Sequence, residues 1–335
     1  MLMNSGPNIH ILWNFVAGPW GGGNQFLKAL KDKFSSNGIY SDKPDNADII
    51  LFNSHQHLDK ALKLKQQFPD KIFIHRIDGP ISLARGEIGK KTDRNIFLCN
   101  RIIADGTIFQ SHWSMVQSHN IGLRKKTHEI CIINAPDPNI FYAKTYTEKK
   151  NNDRIIKLIA TSWSSNERKG FDIYHYLDEH LDHKRYSFTF IGNPDKPFTN
   201  IRSIPPLPSD RLADALRDHD IFISASKMES CSNSFLEAMH CGLPALARNN
   251  TSHPEVLGNN GLLFEGSIDI LHKIDQLSSH LDLYRRNLTI IPIEEIAHKY
   301  LDFFRCIMRA RDNGFYFSRR LYIPEAIFTQ FRLKN

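Results

Sequence analysis

The 335-residue chain is poor in the features that staple small or exported proteins together. Its five cysteines (Cys99, Cys131, Cys231, Cys241 and Cys306) are odd in number and never spaced C-x-x-C. That excludes a disulfide framework and fits reduced thiols in a cytosol. No apolar run approaches the ~20 residues that a helix needs to cross a bilayer. The first residues carry no basic segment followed by an apolar core, so no secretory signal is expected. The sequons at Asn250 and Asn287 are therefore read as chance matches. There is no short repeat, no low-complexity tract, no G-x-G-x-x-G and no Walker loop. Acidic residues are scarce at the front: residues 1–143 hold 17 Lys and Arg against 12 Asp and Glu, and only two of those acids, Glu87 and Glu129, are glutamates. A basic first half suits an anionic partner, such as a phosphorylated substrate or a membrane surface. No nucleic-acid-binding motif accompanies the charge, so nucleic acid is not expected.

What the chain does have is a repeated alternation of buried-strand and helix patterns. Runs that are apolar on nearly every residue mark strands at 8–15, 47–52, 71–75 and 129–133. A polar stretch at 146–153 without apolar period reads as a linker. The pattern restarts with strands at 155–160, 186–191, 221–224 and 245–247, and a short one at 261–264. Strand–helix alternation on both sides of a linker predicts two parallel-sheet domains. They are placed at residues 1–145 and 146–296, with helices at about 297–335 packing back on the first.

Ligands in such sheets bind at the carboxyl ends of strands, so the loops there carry the candidates. Glycines 21–23 join the first strand to a helix over 24–34, and glycine leaves the backbone open to close approach. His75, Arg76 and Asp78 follow the third run. His55 and His57 give an H-x-H spacing, but no third ligand accompanies them. In the second half, Arg168 and Lys169 lie in the loop after the first strand, where lysine can meet a phosphate as a point charge. Ser209 is read as a helix cap, near the turn containing Leu207. The densest cluster follows the strand at 221–224. Glu229 and Ser230 to Ser234 form a polar loop, and Glu237 sits two turns into the next helix. Ser232, Asn233 and Ser234 are suited to capping that helix and binding phosphate at its N-terminus. Carboxylates accept bonds from paired sugar hydroxyls. Phosphate-binding groups beside hydroxyl-binding acids describe a nucleotide-sugar pocket.

Glu229-x7-Glu237, followed by Ala238-Met-His-Cys-Gly-Leu-Pro244, resembles the E-x7-E motif of GT-B-fold retaining glycosyltransferases, family 4 type (glycosyl transferases group 1). The similarity extends in order to Gly21–23, residues 75–80, Ala104-Asp105 with Ser111, and Lys169-Gly170. It implies two facing Rossmann-like doubly wound domains. It also implies a metal-independent hexosyltransferase that moves a sugar from a nucleotide-diphosphate sugar to a glycan, lipid-linked or phosphorylated acceptor. No cofactor is expected beyond that donor, and the expected compartment is the cytoplasm, with peripheral contact at an anionic membrane. The resemblance places Glu237 on the donor ribose and Glu229 on the transferred sugar. Lys169 and the amides of Ser232, Asn233 and Ser234 fall on the diphosphate, joined by Gly22 and Gly23, with Arg168 as a second positive charge. His75 falls beside the sugar, and Leu207 beside the base. Glu229, His75 and Lys169 form the catalytic group. One departure stands out. The family carries Gly-Arg after the second domain's first strand, and this chain has Ser162-Trp163-Ser164. The alternatives are a GT-B nucleotide-sugar epimerase and a non-catalytic nucleotide- or glycan-binding protein. Asp218-His219-Asp220 resembles a D-x-D metal motif. It precedes a strand rather than following one, so it reads as a helix-to-strand turn.

Overall fold

Each apolar run becomes a strand of a parallel sheet in the computed structural model, which describes residues 6–16, 22–144 and 154–334. The first series is β1 (Ile9–Leu12), α1 (Gly22–Ser36), β2 (Ile49–Asn53), α2 (Leu58–Gln67), β3 (Ile72–Ile77), α3 (Ile81–Arg85), α4 (Glu87–Ile103), β4 (Gly106–Phe109), α5 (His112–Asn120) and β5 (Glu129–Cys131). The second is β6 (Ile156–Ser162), α6 (Phe171–His180), β7 (Tyr186–Gly192), β8 (Arg202–Ile204), α7 (Ser209–Arg217), β9 (Ile221–Ser224), α8 (Asn233–His240), β10 (Ala245–Arg248), α9 (His253–Leu257), β11 (Gly261–Phe264), α10 (Ile270–Ser279) and α11 (Leu281–Arg286). Two helices follow, α12 (Ile293–Asp312) and α13 (Ile323–Lys334).

The chain divides into two compact units. One comprises Met1–Phe15, Leu27–Ile133 and Ile293–Asn335; the other comprises Val16–Phe26 and Asn134–Pro292. The linker expected at 146–153 and the first of the three glycines lie outside the described residues.

In the first unit the strand order is β1-β2-β3-β4-β5. A single parallel bridge sets Tyr40 against Ile9. After α1 the chain therefore passes Tyr40 on one side of β1 and β2 on the other, which makes the sheet doubly wound. Side chains alternate between the two faces of a strand. Ile50, Phe52 and Phe73 point to one face and pack with Leu58 and Leu62 of α2 and Cys99 and Ile103 of α4. Phe303 and Ile307 of α12 pack over Gly106 of β4. Phe304 meets Phe34 of α1 with ring centroids 6.5 Å apart. β3 runs two residues further than its apolar run predicts. Arg76 is fully buried yet stays in the strand, because its guanidinium reaches Asn53 and the Asp78 carboxylate at 2.7 Å.

The second sheet has the order β11-β10-β9-β6-β7-β8. Its first strand, β6, lies centrally; the chain winds outwards through β7 and β8, then returns to β9 on the other side. That reversal between β6 and β9 opens a crevice at their carboxyl ends. Phe171, Tyr174 and Leu177 of α6 pack with Phe188 and Phe190 of β7 and Ile221 and Ile223 of β9 in one buried cluster. Ser209 does not cap α7. Pro208 holds that position and accepts the Leu212 amide at 2.8 Å, so the helix starts one residue earlier than expected. The Asp218-His219-Asp220 turn joins α7 to β9. Asp220 is buried and bound by Arg154 (2.7 and 2.9 Å), Arg285 (2.6 Å) and the Lys157 amide (2.8 Å).

Candidate functional site

A cleft of about 340 Å³ occupies that crevice, and every residue lining it belongs to the second unit. Thr161 to Ser164 and Lys169 come from the end of β6 and its loop; Ile191 and Gly192 come from the end of β7. Pro206, Leu207, Ser209 and Leu212 form a turn and the start of α7. Ser224 ends β9, Ser226, Glu229, Cys231 and Ser232 follow it, and Asn233, Ser234 and Glu237 come from α8. Gly22 and Gln25, at the start of α1, complete the wall.

The E-x7-E segment folds as strand, loop and helix because its apolar residues change period. Phe222 and Ile223 are buried in β9, then Phe235, Leu236, Ala238 and Met239 are buried in α8. Ser232 holds the N-cap position, as expected, but its side chain makes no capping bond. Its hydroxyl instead lies 3.2 Å from that of Ser234. The first intrahelical bond of this turn is Leu236 N–H to Ser232 O, at 3.2 Å. The amides of Asn233, Ser234 and Phe235 precede it and have no acceptor within the helix, so the positive end of α8 faces the cleft.

Two glycines set how closely this wall is drawn together. A Cβ on Gly22 would lie 2.0 Å from the Asn233 side-chain nitrogen, so α1 starts with its backbone against that amide. Asn134 donates to the Asn233 oxygen at 2.9 Å and holds the group in place. Gly170 has φ of +83°, and a Cβ there would lie 1.9 Å from the Ala225 carbonyl oxygen. Glycine thus lets the Lys169 loop close onto the end of β9. Helix α1 begins at Gly22, two residues before the expected start, so Gly22 and Gly23 belong to its first turn.

The lysine and two glutamates converge here. Lys169 Nζ lies 2.5 Å from Glu229 Oε1, with the lysine side chain 33% exposed and the glutamate 16%. Among the described residues lining the cleft, Lys169 is the only basic one, against two carboxylates. Glu237 faces inwards from α8 and is 8% exposed. Burial pushes its carboxyl up to about 7. Beneath the cleft, Tyr174 accepts from the Ala225 amide at 3.2 Å. Ser224 Oγ lies 3.1 Å from Nε2 of the buried His253, whose pKa burial lowers.

Seven of the expected site residues therefore line one cleft: Lys169, Glu229, Ser232, Asn233, Ser234, Glu237 and Leu207, with Gly22 as an eighth. Three do not. Gly23 is not on its wall. Arg168 is not either; its carbonyl accepts from the Lys227 amide (2.7 Å) and Ser226 Oγ (3.1 Å), so it braces the loop through its backbone. His75 lies within β3 of the first unit and is fully buried. Its ring stacks on Phe52 with centroids 4.1 Å apart, and Nε2 lies 2.9 Å from Ser54 O. Burial lowers its pKa to about 3, so the ring is neutral and reads as core. The direct sugar contact expected of His75 has no geometry here. Thr161, Ser224 and Ser226 were outside the sequence-derived set. Their signal was position, since each is a hydroxyl at the carboxyl end of a strand or just beyond it. Trp163, at the departure from Gly-Arg, is 57% exposed on the rim. Among the described residues, no group of three or more His, Cys, Asp or Glu side chains is arranged to hold a metal ion.

With two Rossmann-like parallel-sheet units and a cleft at a strand-order reversal, the chain has the fold of GT-B glycosyltransferase structures. Residues 166–280 match the family model described as glycosyl transferases group 1. The fold is similar to that of sucrose-phosphate synthase from Thermosynechococcus elongatus (TM-score 0.67, 12% identity, 91% of this chain and 100% of that one). It is similar to HepE of Anabaena in complex with UDP-glucose (TM-score 0.64, 12% identity, 92% and 99%). A third likeness is the catalytic domain of starch synthase IV from Arabidopsis thaliana bound to ADP and acarbose (TM-score 0.68, 11% identity, 91% and 100%). A 157-residue segment is 26% identical to an uncharacterised protein of Sulfolobus islandicus rod-shaped virus 1, taking in 43% of this chain and 44% of the viral protein. That match spans less than half of the relative's length.

Proposed function

We propose that the chain is a retaining hexosyltransferase that moves a sugar from a nucleotide-diphosphate sugar to a glycan, lipid-linked or phosphorylated acceptor. The observation that carries this reading is the meeting of Lys169, Glu229, Glu237 and the open N-terminus of α8 around one cleft. In the reading, the diphosphate lies against the α8 amides and Lys169. Glu237 accepts the ribose hydroxyls, Leu207 flanks the base, and Glu229 contacts the transferred sugar. Negative charge grows on the diphosphate as the glycosidic bond breaks. A fixed lysine and helix-terminal amides stabilise that charge without having to reorient. Lys169 must turn from Glu229 towards the phosphates, which frees the carboxylate for sugar hydroxyls. No metal is assigned a part. UDP-glucose in the HepE complex and ADP in the starch synthase complex support uridine and adenosine donors as the first to try.

The test is a panel of nucleotide sugars scored by thermal shift and then by product analysis. The reading requires a donor that raises the melting temperature. It also requires transfer that survives chelator, with the product linkage keeping the donor's anomeric configuration. Inversion at that carbon, or loss of turnover with chelator, would remove the corresponding part. The second reading is a non-catalytic binder, favoured by Ser162-Trp163-Ser164 in place of Gly-Arg and by Lys169 being the only cation among the described residues lining the cleft. Stabilisation by nucleoside diphosphates without transfer to any acceptor would establish it.

A further inference from the structure

Helix α13 is built inside out. Two of the positions it turns inwards are small or polar: Ala326 is 2% exposed and Thr329 1%. Leu333 packs with the cluster that joins α2 and α4. The positions it turns outwards are large and apolar: Ile327 is 62% exposed, Phe328 55% and Phe331 66%. At 100° per residue these three fall within one narrow arc opposite Ala326 and Thr329. The segment leading into the helix adds Phe315, Phe317 and Tyr322, each at least 75% exposed. Singly exposed apolar residues need no explanation, but six in 17 residues (315–331) form a patch of the kind that marks an interaction surface.

We infer that this patch, α13 with residues 315–322, is a docking surface for the anionic headgroups and upper acyl region of a phospholipid bilayer. Charge selects the occupant. Residues 313–335 carry four cations, Arg319, Arg320, Arg332 and Lys334, against one acid, Glu325, a net charge of +3, with Arg319 paired to Glu325 at 2.5 Å and Arg320 to Asp70 at 3.0 Å. Helices α2 and α4, which α13 packs on, add the exposed Lys60 and Lys63 against Asp59, while Lys90 is paired with Glu87 at 2.6 Å. A second copy would bring the same cationic patch against itself, since a two-fold interface pairs like with like. An anionic lipid surface complements it. Arg332 lies 5.1 Å from the Phe328 ring centroid, so charge and aromatic surface point out together. Twelve residues span about 18 Å, too short to cross a bilayer, so the helix lies in the interface plane with its aromatics below the headgroups. The inference extends the acceptor side of the proposed function but stands on this surface alone, because transfer to a soluble acceptor is measured without vesicles.

The experiment is co-sedimentation of the full chain with vesicles of phosphatidylcholine alone or with about a third phosphatidylglycerol. The anionic vesicles are expected to bind roughly 10-fold more protein at low salt, with the gain lost at high salt. A Phe328→Ser/Phe331→Ser variant should lose roughly 10-fold in binding at an unchanged melting temperature, both side chains being exposed. If that variant misfolds, Arg319→Gln/Arg320→Gln should instead lose the anionic preference. Equal binding to both vesicle types overturns the inference, as does wild-type binding by the folded Phe variant. Self-association in sedimentation velocity that the Phe variant abolishes would also overturn it and assign the face to a second copy.

Discussion

Glu237 shows what a single position can carry. Its carboxyl is raised from 4.5 to about 7 because burial penalises the charge. A raised pKa means that the unfolded chain ionises first, so the folded state is favoured below pH 4.5 and loses that advantage as pH rises towards 7. Glu237→Gln abolishes the titration. The variant is expected to melt at the wild-type temperature near pH 4.5 and above it at pH 8, by no more than about 3 kcal/mol. A difference that does not change with pH would contradict this. Nucleotide affinity of the wild type should rise through pH 7, as the ionised carboxylate becomes a better acceptor for ribose hydroxyls, and calorimetry of Glu237→Gln should show no such rise. Lys169→Ala is expected to lower turnover roughly 100- to 1,000-fold at an unchanged fold, the cost of losing one preplaced charge on a developing anion. An effect on KM alone would place Lys169 in ground-state binding. That Glu237 and Lys169 follow strand ends and face one cleft was legible from residue type and spacing. The role of Arg168 was not, because adjacent basic residues look alike in a sequence, and only the loop's conformation turns one to the cleft and the other to brace Ser226 and Lys227.

At the scale of elements, the loops were harder to read than the strands. Strands β1, β2, β6, β7 and β9 appear in the sequence as apolar runs because a central parallel strand is buried on both faces. Helix α4 was not legible: of its seven buried positions, Gly89, Asp93 and Asn100 are glycine or polar, which breaks the apolar period. The buried polar groups have work to do. Asp93 accepts from the amides of Ile81 (2.8 Å) and Ser82 (2.9 Å) and so caps α3 from the side. Asp93→Ala leaves both donors unmet and should cost about 1–3 kcal/mol, read as a lowered denaturation midpoint at unchanged slope. Gly170→Ala should cost more than Gly22→Ala. The first forces a Cβ onto a backbone carbonyl in a left-handed conformation; the second meets only the movable Asn233 side chain. Denaturation curves rank the two. Gly22→Ala should lower nucleotide affinity while leaving stability near wild type, because displacing Asn233 disturbs the start of α8.

For the whole molecule, the decisive feature is that the first unit is completed by the end of the chain. Phe303, Phe304 and Ile307 of α12 cover Gly106 and meet Phe34. A chain cut after Pro292 should leave that face of the first sheet bare. The expected result is aggregation, or loss of the first unit's cooperative unfolding transition in calorimetry, whereas an intact transition would show that α12 is dispensable.

Composition and apolar period alone determined a two-part α/β fold with parallel sheets, since strands buried on both faces leave a continuous signature. They also determined the polar clusters at strand ends, since glycine, serine and charged residues interrupt that signature where the chain turns. Tertiary structure decided which candidates share a site. Lys169 and Glu229 are 60 positions apart and meet at 2.5 Å because the sheet order sets β6 beside β9. His75 was drawn into the core by the aromatic packing of its own sheet. Periodicity reports a residue's neighbours along the chain; the order of strands across a sheet, which brings distant loops together, leaves no mark in it.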